Sequence, residues 1–359
     1  MALGTLNILN NSKIEENIEA LNNKLDNKLS YVDPSIYGIK TKSYTSSLSS
    51  TLPYEFHGGS AVVYNNEIHI LGGNYGNTYH YKWDGSSWSS VSTLPYIFYG
   101  GSAVVYNNEI HILGSIVGSY QKYHYKWNGS SWSSVSTLPY GLIWGTAKPV
   151  VLYNDKIHIL GTGDGSYSNY HYKWTGTDWV RESTLPYNFY SGTALILNNE
   201  IHILGGGSST YRTYHYKWDG IKWSSVSTLP YQYYDSSAIV HDGMIHLIAS
   251  AATGCRKHHY VYNGNEWISV GPMDYDYYYG SVVSHDGNIH IVGGESNKTY
   301  HISLSPNVQY MYKIQVLSPV TITGGAELSI YDSNNIKQSN TLTSSGIYYI
   351  YATEPFVIK

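Results

Sequence analysis

The chain has 359 residues, of which 42% are hydrophobic and 13% charged, and its formal net charge is −4. This composition supports a packed core and excludes the strongly basic surface that binds nucleic acid. The single cysteine excludes an internal disulfide, and since no apolar run could cross a bilayer we expect no membrane insertion.

The first 33 residues predict a docking tip followed by a helix. Residues 1–10 have no signal-peptide pattern, so we expect synthesis in a bacterial cytoplasm without one. In residues 11–33, Ser12 and Glu15 have the spacing of a capping box. The apolar positions suit a short coiled coil: Ile14, Ile18, Leu21, Leu25 and Val32. We expect this helix to associate with other copies of the chain, or else to pack on its own domain.

Six copies of one unit follow over residues 43–304. Residues 58–73 read GGSAVVYNNEIHILGG, and residues 100–115 repeat that stretch with one change. An Ile-His pair marks each copy, with histidines at His69, His111, His158, His202, His246 and His290. Each unit holds four short β-rich runs joined by Asn-Asn, Asp-Gly or similar turns, which predicts four antiparallel strands. Six such units predict an all-β, six-bladed propeller.

The sixth copy lacks a fourth strand of its own. It ends near Tyr300 and His301, and no Trp-containing run follows. Residues 43–53, SYTSSLSSTLP, match the fourth-strand segment SWSSVSTLP of other copies. We therefore predict that this N-terminal strand completes the last blade and closes the ring. Residues 305–359 alternate again between polar and apolar positions and predict a small β-rich domain.

The repeat resembles the kelch family, in which a glycine pair follows the second strand and six residues separate a Tyr from a Trp. The glycine pair is intact at Gly72-Gly73, Gly205-Gly206 and Gly293-Gly294. The Tyr and Trp positions are Tyr81/Trp88, Tyr125/Trp132, Tyr172/Trp179, Tyr216/Trp223 and Tyr260/Trp267. The resemblance implies a kelch-type propeller, here with an N-terminal helix and a small C-terminal β-domain.

Twelve of the sixteen histidines recur at fixed repeat positions, six in the second strand and six in the third. Catalysis or metal binding needs one unique constellation, whereas these are equivalents, so we expect packed, hydrogen-bonded histidines. We expect no catalytic residue, no metal and no cofactor.

Aromatic residues crowd the segments between each Pro and the next first strand. In a propeller these segments open on the same face as the loops between strands two and three, so they should encircle one mouth. Aromatic rings beside polar groups suit sugars. The predicted ligand-binding residues are Phe56, His57, Tyr75, Phe98, Tyr99, Trp144, Phe189, Tyr190, Arg212, Tyr233, Tyr234, Asp235, Tyr277 and Tyr278.

Three functions remain open. The chain resembles kelch-type tail fibre or baseplate proteins of a phage or a phage-tail-like particle, which implies a non-enzymatic protein that binds a host-surface glycan. That resemblance also implies tail or baseplate partners for the N-terminal region, a homo-oligomer, and a place in the virion tail. A glycan-active enzyme would need a carboxylate pair from Asp235, Asp274 and Asp276. The third reading is an intracellular kelch scaffold that binds a protein.

Overall fold

The computed structural model describes residues 41–74, 77–115, 121–142, 149–161, 169–207, 212–294, 299–316, 319–324, 328–352 and 356–358. Every regular element within these ranges is a β-strand, and no helix in them could cross a membrane. The predicted docking tip and helix lie outside them. The chain divides into two compact units. One consists of Thr45–Ile268 with Pro272–Ser305, and the other contains Pro306–Lys359.

The first unit is a six-bladed β-propeller. Its strands are, in chain order, β1 (Thr41–Thr51), β2 (Ser60–Tyr64), β3 (Glu67–Leu71), β4 (Tyr79–Trp83), β5 (Trp88–Thr93), β6 (Ser102–Tyr106), β7 (Glu109–Ser115), β8 (Gln121–Trp127), β9 (Trp132–Thr137), β10 (Val150–Tyr153), β11 (Lys156–Leu160), β12 (Tyr170–Trp174), β13 (Trp179–Thr184), β14 (Thr193–Leu197), β15 (Glu200–Leu204), β16 (His215–Trp218), β17 (Trp223–Ser225), β18 (Ser237–His241), β19 (Met244–Ile248), β20 (His259–Tyr262), β21 (Trp267–Ser269), β22 (Ser281–His285), β23 (Asn288–Val292) and β24 (Tyr300–Val316). Blades one to five are β2–β5, β6–β9, β10–β13, β14–β17 and β18–β21.

The N-terminal strand completes the sixth blade, as predicted. β22, β23 and β24 form its first three strands, and β1 pairs with β24. The bond that joins the sixth blade to the first has the same form as the one that joins the first to the second. Ala61 N donates to Ser281 Oγ at 2.9 Å, and Ala103 N donates to Ser60 Oγ at 3.1 Å. β1 therefore covers the edge that β24 would otherwise leave unpaired.

Tight turns within the blades follow the asparagine pairs. Asn65 and Asn66 join β2 to β3 with φ of 50° and 60°, and Asn107 and Asn108 do the same in the second blade. Two consecutive positive φ values make a type I′ turn, whose twist matches that of the strands it joins. Asparagine tolerates this conformation better than most residues, so the predicted hairpins form here.

The second unit has a small core of its own. β24 continues into it and pairs there with a later strand, β29. The remaining strands are β25 (Val320–Gly324), β26 (Ser329–Asp332), β27 (Lys337–Gln338), β28 (Thr341–Leu342), β29 (Gly346–Ala352) and β30 (Phe356–Ile358). Ile322, Ile330 and Ile350 are buried in one apolar cluster. The alternating pattern of this region therefore reflects strands with one buried face.

Neighbouring blades are joined by a repeated polar chain. In the first blade His69 Nδ1 is hydrogen-bonded to His80 Nε2 at 2.8 Å, and His80 Nδ1 to Ser92 Oγ at 2.9 Å. Trp132 of the second blade donates its Nε1 proton to the same Ser92 Oγ at 3.1 Å. The paired histidines are present in all six blades, which confirms that they are packed and hydrogen-bonded.

The chain of bonds assigns the protons. An indole nitrogen can only donate, so Trp132 uses one lone pair of Ser92, whose own proton is free to bond His80 Nδ1. His80 then donates from Nε2 to His69. Both imidazoles are neutral in this arrangement. Burial lowers the pKa of His80 to about 3 and that of His69 to about 4, which agrees with it.

We expect the propeller to lose stability as the pH falls below about 6.5. The unfolded histidines take up protons near that pH, whereas His80, His124, His171 and His215 stay neutral down to about pH 3 in the folded state. Each such histidine lowers the free energy of unfolding by up to about 1.4 kcal/mol per pH unit in this window. Urea unfolding followed by tryptophan fluorescence at pH 8.5, 7.5, 6.5, 5.5 and 5.0 measures the effect. A midpoint unchanged between pH 7.5 and 5.0 would contradict it, and little change from pH 8.5 to 7.5 is the internal control.

Replacing Ser92 by alanine should weaken the seam between the first two blades. The change leaves His80 Nδ1 and Trp132 Nε1 without their shared partner, at a cost of about 1–3 kcal/mol in the free energy of unfolding. The matched control is Ser89→Ala, an exposed position on the same strand, which should shift it by less than about 0.5 kcal/mol. Equal effects of the two substitutions in urea unfolding would contradict the role of Ser92.

Candidate functional site

Two sets of loops meet at one end of the propeller. The loops between second and third strands donate backbone hydrogen bonds to the segment that enters the next blade. Gly73 N bonds Phe98 O at 2.9 Å, and Gly206 N bonds Tyr233 O at 2.7 Å. Gly294 N of the sixth blade bonds Phe56 O at 2.9 Å across the closing seam. These bonds bring together the loops from which the candidate site was predicted.

In the entering segments, three consecutive residues have three different roles. The first is an anchor with its side chain fully buried: Phe56, Phe98, Leu142, Phe189, Tyr233 and Tyr277. The residue after it, which we call the mouth aromatic, is His57, Tyr99, Tyr190, Tyr234 or Tyr278. The residue after that has a positive φ, and we call this set the inner ring: Gly58, Gly100, Ser191, Asp235 and Tyr279.

The prediction that Phe56, Phe98, Phe189, Tyr233 and Tyr277 line an open mouth is wrong. All five are at most 2% exposed. Their rings fill the space over a small residue, since a Cβ added to Gly59 would lie 2.5 Å from Phe56 Cε2, and one added to Gly101 would lie 2.4 Å from Phe98 Cε2. A ring held this way has no free face for a ligand, so these residues are core.

The inner ring is linked by backbone hydrogen bonds from blade to blade. Gly100 N donates to Gly58 O at 2.7 Å, and Gly58 N donates to Tyr279 O at 2.9 Å. Tyr279 N donates to Asp235 O, and Asp235 N to Ser191 O, both at 3.0 Å. The third-blade member falls in residues 143–148, outside the described ranges. The mouth is therefore bordered by a hydrogen-bonded backbone ring.

One half of this ring carries side chains that its conformation disfavours. The first two blades have glycine there, Gly58 and Gly100, whereas blades four to six have Ser191, Asp235 and Tyr279 with φ of 57°, 49° and 60°. A residue with a side chain at such φ costs about 1–3 kcal/mol, most for bulky residues. Strain of this kind is concentrated at functional sites.

Asp235 lies at the centre of the strained half. It is 6% exposed, and its Oδ2 accepts a hydrogen bond from the Tyr279 hydroxyl at 3.1 Å. Its Oδ1 has no hydrogen-bond partner among the described residues. Burial raises the pKa of Asp235, and the nearby hydroxyls of Ser191 and Tyr279 offset this only in part. The carboxylate thus has one buried oxygen without a hydrogen-bond partner among the described residues.

Aromatic and cationic groups flank Asp235. The Arg256 guanidinium lies over the Tyr278 ring at 4.3 Å, and Tyr278 contacts Tyr279 with ring centroids 5.2 Å apart. Burial raises the pKa of Tyr234, and the negative charge of Asp235 adds to the shift. Tyr234, Tyr278 and Tyr279 are all half-buried. The cluster offers partly open rings beside a carboxylate and a guanidinium.

The other predicted residues fall in different places. His57 is buried and contacts the half-buried Tyr99 with ring centroids 5.8 Å apart, and Tyr190 is half-buried. The Arg212 guanidinium lies 5.4 Å from the ring centroid of Tyr214, which directly precedes the third strand β16. Tyr75 and Trp144 lie outside the described residues.

The sequence list also missed members of the cluster. Ser191, Arg256 and Tyr279 were absent from it. An alignment of the repeats could have identified Ser191 and Tyr279, because they align with Gly58 and Gly100.

The three aspartates from which an enzyme would draw its pair each have another partner. Asp274 bonds Ser46 on β1, the outermost strand of the sixth blade, and Asp276 faces Lys257 at 4.0 Å. Asp235 instead bonds Tyr279 of the inner ring. Among the described residues no group of three or more His, Cys, Asp or Glu side chains could hold a metal ion.

The comparisons with known proteins support the fold. No protein-family model and no curated protein sequence matches the chain. Among solved structures, that of YjhT is similar, with a TM-score of 0.60 and 13% sequence identity over 75% of this chain and 97% of the YjhT chain. An identity this low supports the propeller fold alone.

Asp235→Asn should make the protein more stable at neutral pH. The folded-state pKa is raised, so the buried carboxylate opposes folding above that pKa and ceases to do so below its unfolded pKa. At pH 7 the amide should raise the free energy of unfolding by about 1 kcal/mol, a gain that shrinks as the pH is lowered. Urea unfolding of both proteins at pH 7 and 5 tests this. A less stable variant at pH 7 would mean that Asp235 serves the fold.

Proposed function

We propose that this protein is a non-enzymatic receptor-binding protein that recognises a host-surface carbohydrate at the mouth of its propeller. The observation that carries the proposal is the strained half of the inner ring, Ser191, Asp235 and Tyr279. Its cost in stability has no counterpart in the blades with glycine at the same position. We infer that a ligand binds these side chains, because strained backbone of this kind is concentrated at functional sites.

The chemistry of the cluster suits a sugar. Asp235 Oδ1 is an acceptor for a hydroxyl group, and a carboxylate binds such donors strongly. The half-buried rings of Tyr234 and Tyr278 supply apolar faces for the C–H side of a pyranose, and Arg256 supplies donors for ring or hydroxyl oxygens. Partly exposed aromatics around a few fixed polar groups are typical of small-ligand sites.

The setting of this site favours attachment over catalysis. Retaining and inverting glycosidases both act through two facing carboxylates, and Asp274 and Asp276 have partners elsewhere. The kelch-type repeat and its resemblance to tail fibre and baseplate proteins support a place in a phage tail or a phage-tail-like particle. In that setting the N-terminal region would dock to other tail proteins and associate with further copies of the chain.

Binding should depend on Tyr278 and Tyr234. Replacing either by alanine should weaken binding to the recognised glycan by about 1–3 kcal/mol while circular dichroism stays unchanged. A glycan array with the full chain identifies the ligand, and titration of the variants measures the loss. Ser86→Ala, in an exposed hairpin turn of the first blade, is the control and should bind as the parent does.

The same assay separates the alternatives. Hydrolysis or other turnover of a bound glycan would replace the proposal by an enzyme. If both tyrosine variants bind the glycan as tightly as the parent protein, the mouth is not the site. The absence of binding to any glycan, together with capture of a purified protein partner, would favour a scaffold.

A further inference from the structure

A second aromatic feature recurs at or directly before the first residues of the third strand. Tyr79, Tyr123 and Tyr214 occupy equivalent repeat positions in blades one, two and four and are 44%, 41% and 39% exposed. We call them the rim tyrosines. They are distinct from the inner ring and from the mouth aromatics.

Each rim tyrosine is held in one orientation by a more buried ring. Tyr79 packs edge-on against Tyr54 with centroids 5.0 Å apart, and Tyr54 OH donates to Gly72 O at 2.7 Å. The same pairs in the other two blades are Tyr96 with Tyr123 at 4.8 Å and Tyr187 with Tyr214 at 5.1 Å. A ring fixed before binding loses little conformational entropy on binding.

A threonine accompanies the ring. Tyr79 is the direct cross-strand partner of Thr93, and Tyr123 of Thr137. Directly opposed residues of antiparallel strands project from the same face. Thr93 and Thr137 are exposed as well. The positions in the first two blades therefore combine an apolar ring with a neighbouring hydroxyl.

The third blade shows this position already occupied. The Arg181 guanidinium lies 4.0 Å from the ring centroid of Tyr170, the equivalent tyrosine. Tyr170 is half-buried, whereas the rim tyrosines are exposed. Arg181 Nη2 also donates to Thr184 Oγ1 at 2.6 Å, and Thr184 is the partner of Tyr170. One side chain of the protein thus stacks on the ring and bonds the threonine at once.

We propose that the rim tyrosines form three binding sites for a neutral saccharide unit, separate from the mouth. The C–H face of the sugar stacks on the tyrosine, and in the first two blades a sugar hydroxyl bonds the threonine hydroxyl, as the Arg181 guanidinium bonds Thr184 in the third blade. The paired Tyr and Thr carry no charge, which favours a neutral sugar. In the fourth blade the Arg212 guanidinium, 5.4 Å from the Tyr214 centroid, still leaves that ring open.

Repetition of the site suits a repeating ligand. Several weak sites on one chain bind a polysaccharide far more tightly than a single sugar, because the second contact is made within the complex. The fifth blade has His258 in the tyrosine position, and Tyr300 of the sixth blade is half-buried against Tyr275. We therefore expect three open sites and one that Arg181 closes.

The test uses the full chain on three immobilised neutral polysaccharides, a dextran, a mannan and a galactan, in surface plasmon resonance. At least one should retain the protein. The variant Tyr79→Ala/Tyr123→Ala/Tyr214→Ala should lower the apparent affinity at least tenfold, whereas Arg181→Ala should raise it several-fold by opening the fourth site. Ile221→Ala, which truncates an apolar side chain that is 85% exposed, is the matched control.

Each outcome decides the proposal. Retention on none of the three, unchanged binding of the triple variant, or unchanged binding of Arg181→Ala would overturn it. Should the triple variant fail to fold, the Arg181→Ala result alone decides. The soluble glycan identified for the mouth separates the two sites, since in excess it should leave polysaccharide retention at the rim intact. Loss of retention under this competition would assign the binding to the mouth and reject the rim sites.

Discussion

The fold depends on keeping a pair of buried histidines neutral in every blade. His80 links the second strand of its own blade, through His69, to the fourth strand and to Trp132 of the next blade. An ionised imidazole here would lie in an apolar wall of indole rings, because Trp127 and Trp132 both contact the His80 ring. Polar bonds thus link neighbouring blades, and aromatic rings surround these bonds. We therefore expect acid to weaken the contacts between blades.

The mouth is built from the same repeat but has diverged in one half. The buried anchors and the backbone ring place each following side chain, so a change at one ring position alters the surface without disturbing the strands. Ser191, Asp235 and Tyr279 show that three blades have accepted strain at this position, whereas Gly58 and Gly100 avoid it. The rim differs, because its tyrosines retain the same geometry in three blades. A variable centre and a constant periphery suit two kinds of contact with a ligand.

The periodicity of the sequence was enough to predict six blades, the hairpin turns and the strand that closes the ring. Each of these follows from residues that recur at fixed spacing, such as the Ile-His pair and the asparagine turns. The site was harder to predict, because anchor and mouth aromatic are adjacent and both are aromatic. Phe98 and Tyr99 differ in burial only because the backbone reverses at Gly100, and a β-type alternation could not show which of the two points inward. The strained ring residues could be recognised only by their alignment with glycines.

The pairing of β1 with β24 has a consequence during synthesis. The strand at Thr41–Thr51 leaves the ribosome about 250 residues before its partner begins at Tyr300. At about 5–20 residues per second it waits roughly 10–50 s as an unpaired edge. Its sequence, TKSYTSSLSST, is rich in serine and threonine and has one leucine, so it is a poor template for aggregation during that interval. The polarity of this strand therefore protects the nascent chain until the last blade arrives.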